Sequence, residues 1–313
     1  MSQQQCSNAV LMIRPAAFDY NPETAESNRM QQRADGATVR AAESAQVEFD
    51  AFVRALESEA IRVCVVEDTL EPLKPDAIFP NNWVSFHEDG TLVLYPMQAE
   101  SRRRERRREV IDCVRDKLGY EVKRLVDLTP HENKGLFLEG TGSLVLDNVN
   151  RVAYAVRSPR THAKVLDEWC ETLGYKPVMF DAADRNGVPL YHTNVLMCIG
   201  SRAVVVGTEA IAVSDRTRVI DQLSASGREI VEIGHDDIAS FAGNMLELAS
   251  WDEALGDCRV LVMSASARKA LKPETFAKLS ACVDTVLAAP IPTIERLGGG
   301  SVRCMLAEVF LPS

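Results

Sequence analysis

A chain of 313 residues is long enough to bury roughly 75% of its unfolded surface, so no disulfide or metal staple is required. Its 45 acidic and 35 basic side chains leave a net charge of −10, which argues against nucleic acid or an anionic membrane as a general partner. The eight cysteines form no C-x-x-C pair, and thiols in apolar runs such as Arg62-Val63-Cys64-Val65-Val66 suit a reducing cytoplasm.

The first residues carry no basic segment, and the apolar stretch from Ala9 to Ile13 is too short for a signal peptide. No run approaches the ~20 apolar residues of a membrane span. A soluble, cytoplasmic protein is expected. Along the chain, a strand at Val10–Arg14 is followed by a helix from about Thr38 to Ala60 and a strand at Ile61–Val66. Strands at Ile78–Phe86 and Leu92–Tyr95 flank the hairpin signal Asp89-Gly90. A helix from Arg102 to Leu118 ends at Gly119, and a strand covers Val122–Val126. Strands at Ser143–Leu146 and Val152–Val156, a helix from Thr161 to Leu173 closed by Gly174, and a strand ending at Phe180 repeat the order. Further units begin near His192 and Asn244, and Arg303–Phe310 reads as a final strand.

Helices beginning near Thr38, Arg102, Arg160, Ser214 and Arg268 recur at intervals of 64, 58, 54 and 54 residues, the signature of an internal repeat. The expected fold is α/β: one domain over residues 1–313, a five-bladed α/β propeller of ββαβ units. The C-terminal strand joins the N-terminal segment in one unit, which closes the ring without exposed edges. A two-domain α/β protein is the alternative.

The spacing also locates chemistry. Asn82, Glu139, His192, Asn244 and Cys304 begin the first strands of the five units, so a ring would bring them to one axis. Cysteine, histidine and glutamate together supply a nucleophile, a general acid/base and an orienting carboxylate. Cys304 follows Gly298-Gly299-Gly300, which lets backbone approach a ligand closely. Its neighbour Arg303 is placed to favour the thiolate. The six arginines between Arg102 and Arg108 read mostly as a solvated helix face. His87, His131, His162 and His235 lack metal-ligand spacing and read as surface or turn residues. No metal or organic cofactor is expected.

These residues resemble the pentein, or guanidino-group modifying, superfamily. Phe137-Leu138-Glu139-Gly140-Thr141-Gly142 is similar to its E-G-G segment, and Tyr191-His192-Thr193-Asn194 to its H-x-D or H-x-K segment. Gly298 to Met305 resembles the G-G-G-x-x-R-C-M loop of arginine deiminases. Arg14-Pro15-Ala16-Ala17-Phe18, Pro22-Glu23-Thr24 and Phe79-Pro80-Asn81-Asn82-Trp83 are similar to citrulline-utilisation hydrolases, often labelled amidinotransferases. Pro75-Asp76-Ala77-Ile78-Phe79, Ser101-Arg102-Arg103 and Ser158-Pro159-Arg160-Thr161 resemble segments of the dimethylarginine dimethylaminohydrolases. The resemblance implies that Asp76 contacts the amino end of an amino-acid substrate and that Arg102 and Arg160 bind its carboxylate, for which arginine's planar fork is suited.

One departure bears on substrate. The two aspartates that grip a guanidinium in arginine deiminases fall on Asn82 and Asn194. An asparagine offers both donor and acceptor, which suits a neutral ureido group. The reading is a cysteine-dependent hydrolase of citrulline releasing ornithine, carbon dioxide and ammonia. Guanidine hydrolysis of the deiminase or dimethylaminohydrolase kind and amidino transfer remain alternatives, as does a catalytically silent ribosome-binding pentein. The expected partner is a small amino acid, with homo-oligomerisation left open.

Overall fold

The computed structural model describes residues 4–33 and 38–311. Among these, fifteen strands form five three-stranded sheets. One sheet holds β1 (Ala9–Arg14), β2 (Arg62–Glu67) and β15 (Ala307–Glu308). The others hold β3 (Val84–Phe86), β4 (Thr91–Leu94) and β5 (Arg124–Asp127); β6 (Leu144–Asp147), β7 (Val152–Val156) and β8 (Lys176–Phe180); β9 (Met197–Ile199), β10 (Ala203–Val206) and β11 (Glu229–Glu232); and β12 (Leu246–Asp252), β13 (Gly256–Ser264) and β14 (Thr285–Ala289).

Every sheet has the same wiring. Its middle strand pairs antiparallel with the strand before it and parallel with the strand after it. A parallel step needs a crossover, and each contains a helix: α1 (Thr38–Ser58), α2 (Arg108–Leu118), α3 (Ala163–Leu173), α4 (Val213–Ser224) and α5 (Pro273–Ser280). In the first sheet the antiparallel partner of β1 is β15, so the two ends of the chain share one unit. Five sheets of the same wiring are thus present among the described residues, and β15 and β1 share one of them.

The helices follow from apolar spacing. Val110, Val114 and Leu118 of α2 are buried at every fourth position, a single stripe on a 3.6-residue period. Gly119 ends it at φ 74°, and Gly174 ends α3 at φ 73°; both are left-handed positions that glycine tolerates without a Cβ penalty. Strand β7, Val-Ala-Tyr-Ala-Val, is buried at all five positions, as a strand covered on both faces must be. Phe49, Phe52 and Leu56 of α1 pack with Val10 and Met12 of β1 in one core cluster.

Two expectations are corrected. The helix expected from Arg102 to Leu118 is two pieces, Glu100–Arg103 and α2, separated by an extended Arg107. Arg104 and Arg108 are exposed as expected, but the others are used rather than solvated. Arg103 donates to the Met97 and Gln98 carbonyls, and Arg106 donates to Glu132 at 2.6 and 3.0 Å. Arg102 turns inward, and Arg108 is the one whose side chain is 90% exposed. The first strands are also shorter than expected. A helical turn precedes most of them, at Pro80–Asn82, Gly140–Ser143, Thr193–Val195 and Val302–Met305, while Asn244 lies in the turn before β12.

Candidate active site

Those turns carry four of the candidate residues. Asn82 ends one, Glu139 and His192 cap two more, and Cys304 lies within the fourth. A turn at a strand entrance aims side chains off the end of the sheet. Asn82, His192 and Cys304 line one cavity with Asp76, Arg102 and Arg160, and Glu139 and Asn244 reach it through His192 and Cys304.

The Cys304 sulfur is buried among amides. Asn244 Nδ2 donates to Sγ at 3.3 Å and Asn194 Nδ2 at 3.5 Å. Asn244 is itself fixed, because its Oδ1 accepts from the Arg303 N–H at 3.1 Å and its Nδ2 also reaches the Asn194 carbonyl at 2.9 Å. Two N–H groups thus converge on the sulfur and can hydrogen-bond it as it gains negative charge. The role expected of Arg303 falls to them instead. The Arg303 guanidinium points to the Leu306 carbonyl at 2.8 Å and to Glu308 at 3.0 Å, so its charge is spent on a carboxylate.

His192 and Glu139 form the second group. His192 Nε2 lies 2.9 Å from Glu139 Oε2, which also takes Arg160 Nη1 at 3.3 Å. The other carboxylate oxygen accepts the Gln98 N–H at 3.0 Å. Burial pushes Glu139 upward, but Arg160, His192 and Arg102 outweigh it and hold the carboxyl well below its ordinary range. Burial dominates at His192 and lowers it to about 4 despite Glu139. The ring is therefore neutral near pH 7. A bond to an ionised carboxylate requires the proton on Nε2, which leaves Nδ1 basic. Gly142 makes room for this ring, since a Cβ there would stand 2.7 Å from Nδ1 and against Asn82 Nδ2.

The third group lies at the far side of the cavity. Asp76 Oδ2 accepts from Asn21 Nδ2 at 2.8 Å and Thr24 Oγ1 at 3.1 Å, while Oδ1 has no partner. Arg102 grips Glu105 with two bonds of 2.9 and 3.0 Å, and reaches Asn82 Oδ1 at 2.6 Å and the Phe79 carbonyl at 3.1 Å. Most of its donors have partners within the protein, and one of them holds the Asn82 amide. Arg160 is differently held. It lies 5.0 Å from the Tyr191 ring centroid and donates to Ser27 Oγ at 2.7 and 2.9 Å and to the Thr24 carbonyl at 2.9 Å.

Thr24, Ser27, Asn28 and Gln31 belong to a segment that covers the cavity. The helical turn Pro22–Ala25 is started by Asn21, whose Oδ1 accepts the Glu23 N–H. Asn28 Nδ2 then donates to the carbonyls of Gly298 and Gly299, at 3.2 Å each. Gly299 must be glycine twice over: its φ is 60°, and a Cβ would meet the Gln31 N at 2.6 Å. In this way the segment covers the cavity lined by Asp76, Asn82, His192 and Cys304.

A family model for eukaryotic N,N dimethylarginine dimethylhydrolase matches residues 14–311. The chain belongs to that family. It is thereby a member of the pentein superfamily, whose hydrolases act on guanidino groups. No curated protein sequence matches it significantly. Among solved structures, a substrate-bound mutant of the N-terminal domain of ArgZ, an arginine dihydrolase of the ornithine-ammonia cycle in Cyanobacteria, aligns with a TM-score of 0.71 at 17% identity, covering 97% of this chain and 98% of that one. A mutant of AgrE in complex with L-arginine aligns with a TM-score of 0.71 at 19% identity, over 97% of this chain but 40% of AgrE. A dimethylarginine dimethylaminohydrolase adduct gives 0.59 at 15% identity, over 96% and 98% of the two chains.

Within this pentein, several residues at the site carry no sequence signal of their own. Glu105 sits in an arginine run, yet it is buried against Arg102 and pushed up to about 7 by that burial. The Tyr191 hydroxyl fixes the glycine loop by donating to the Gly299 carbonyl at 2.6 Å. Of the other histidines, His131 is buried and meets Glu168 at 2.8 Å. His87, half-buried where the Asp89-Gly90 turn begins, bonds Ser85 and is lowered to about 4 by burial. His162 caps α3, and His235 opens a short helix. Among the described residues no group of three or more His, Cys, Asp or Glu is placed to hold a metal ion, and no helix is long and apolar enough to cross a membrane.

Proposed function

We propose that the chain is a cysteine-dependent hydrolase that removes the ureido group of citrulline, yielding ornithine, carbon dioxide and ammonia. One observation carries this reading: the groups bonded to Cys304 Sγ are the amides of Asn194 and Asn244. A guanidinium offers only N–H donors and a charge, and carboxylates suit it. A ureido group needs a donor for its oxygen and an acceptor for its nitrogens, and an asparagine amide supplies both. Asn194 Oδ1 is buried without a partner, so the acceptor is available.

In the proposed reaction the Cys304 sulfur bonds to the ureido carbon, and its proton passes to neutral His192. The carbonyl oxygen takes the developing charge, and His192 returns the proton to the departing nitrogen, which leaves as ammonia. Glu139 holds the imidazole in the tautomer that can do this. His192 then takes a proton from water, whose oxygen attacks the thiocarbamate carbon; the C–S bond breaks and His192 returns the proton to the Cys304 sulfur. The freed carbamate loses carbon dioxide to give ornithine. The five sheets are read as blades of one closed pentein propeller, a single domain. The free state of all eight cysteines supports work in the cytoplasm.

A second reading has a specific support. ArgZ is an arginine dihydrolase, so a guanidine hydrolysed first and a ureido group second is the nearest rival. Purified protein incubated with L-citrulline, L-arginine and asymmetric dimethylarginine, with ammonia and ornithine quantified, separates them. Equal amounts of ornithine and ammonia from citrulline are expected, with no turnover after Cys304→Ser. A higher kcat/KM for arginine favours the dihydrolase. Product carrying the amidino group of arginine on an added amine identifies a transferase.

A further inference from the structure

The hairpin of β12 and β13 outreaches its counterparts in the other sheets. Its register runs from Leu246 opposite Val262 to Asp252 opposite Gly256, seven pairs, where the other antiparallel pairings have two to four. At about 3.4 Å per residue, the added positions carry the tip roughly 10 Å or more beyond them. The strand begins two residues after Asn244, so the tip lies at the end of the sheet away from Cys304. It reads Trp251-Asp252-Glu253-Ala254-Leu255-Gly256-Asp257, with three acids and no base. Asp252 Oδ1 accepts the N–H groups of Ala254 and Leu255 at 2.8 and 3.0 Å, which orders the turn. That turn holds Trp251 59% and Leu255 73% exposed. A large aromatic presented to water by an ordered turn is the kind of anchor that interfaces use.

A groove of the opposite character runs between α2 and the strands β4 and β5. Its wall is apolar, with Leu92 and Ile111 inside and the exposed Val122 and Leu125 along one side. Four arginines line it, Arg106, Arg107, Arg108 and Arg115, against the two acids Asp112 and Glu121. Arg106 is held by Glu132. Arg108 and Arg115 instead share Asp112, at 3.7 and 2.9 Å, and Arg115 also meets Asp116. Ion pairs on an exposed helix are worth little, so these two guanidinium groups can turn to a partner's carboxylates. Tip and groove thus match in both respects, apolar anchors among acids against an apolar wall among arginines. Both belong to this chain, and among the described residues the chain covers neither, so a second copy offers the match twice. We propose that the β12–β13 tip of one copy docks in the α2–β5 groove of another. Trp251 and Leu255 meet the apolar wall, and Asp252 and Glu253 face Arg108 and Arg115. The exchange is reciprocal, which closes the assembly as a twofold dimer.

The test is molar mass by sedimentation equilibrium over a range of protein concentrations, with far-UV spectra to check that each variant is folded. Native protein should be a dimer. Trp251→Ala should weaken dimerisation by at least about 30-fold, the loss expected of a truncated interface anchor. Two charge reversals give the sharper result. A tip variant carrying Asp252→Arg and Glu253→Arg should be monomeric, and so should a groove variant carrying Arg108→Glu and Arg115→Glu. Mixed in equal amounts, the two should form a dimer again, because the reversed tip meets the reversed groove while the native tip meets the native groove. That rescue also shows that neither variant lost the contact by misfolding. A monomeric native protein, a dimer that Trp251→Ala and both reversals leave intact, or folded variants that stay monomeric when mixed each overturns the proposal. A native mass that climbs past the dimer with concentration overturns the reciprocal arrangement.

Discussion

At the scale of single residues, two buried arginines that look alike in sequence do different work. Arg102 holds Glu105 with both branches of its fork. Removing one partner of a buried pair leaves the other charge uncompensated and costs about 3–5 kcal/mol. Arg102→Ala should therefore lower stability by that amount in denaturant titration. Arg160 faces Ser27 and Thr24 of the covering segment, so its donors become available when that segment gives way. Arg160→Ala should mainly raise KM for citrulline and change little for the carboxamide analogue, as loss of uniform binding does. His192 gives a pH prediction. Burial holds it near 4 against 6.5 for a free imidazole, so the unfolded chain binds a proton in that window which the native site refuses. Stability is full above pH 6.5 and falls as pH drops toward 4. Thermal melts at stepped pH should show that slope, and His192→Asn should flatten it.

At the scale of elements, the helical turns ahead of four of the five first strands bring the candidate residues together. Gly140–Ser143 packs so closely on its neighbours that Gly142 touches the space of both Asn82 and His192. Its backbone lies outside the left-handed region, so substitution there is a matter of space alone. Gly142→Ala should displace the imidazole while leaving the turn intact. A misplacement of about 1 Å can cost roughly 100-fold in rate, so kcat should fall by about that factor with little change in melting temperature. An unchanged kcat would show that His192 is not held by this contact. The arginine run makes the complementary point. Helix periodicity carries through it, but the Arg102–Glu105 pair and the Arg106–Glu132 pair pull the chain inward and break the helix at Arg107.

At the scale of the whole molecule, β1 joins what the chain order separates. It pairs with β15 on one side and β2 on the other, and its Leu11 is fully buried. Truncating such a residue costs about 2–5 kcal/mol. Leu11→Ala should shift unfolding by that amount identically for far-UV and near-UV signals, as expected if the five units unfold together. Separate transitions would show that the units are independent.

Local pattern determined much of this protein. The apolar period, the glycines that end α2 and α3, and the repeat interval placed the helices and the five sheets, because those signals are written within a few residues of where they act. The spacing of Asn82, Glu139, His192, Asn244 and Cys304 likewise pointed to one site. Only the tertiary structure decided which partners those residues have. Arg303 turns to Glu308 rather than to the neighbouring sulfur, and Asn194 and Asn244 take its place. Arg102 is consumed by a glutamate three residues away, and Gln31, distant in sequence, reaches Asp76 through the Thr24 hydroxyl. A guanidinium or an amide can choose among several neighbours at similar cost, and that choice is settled by burial and geometry across sheets, which no single stretch of sequence encodes.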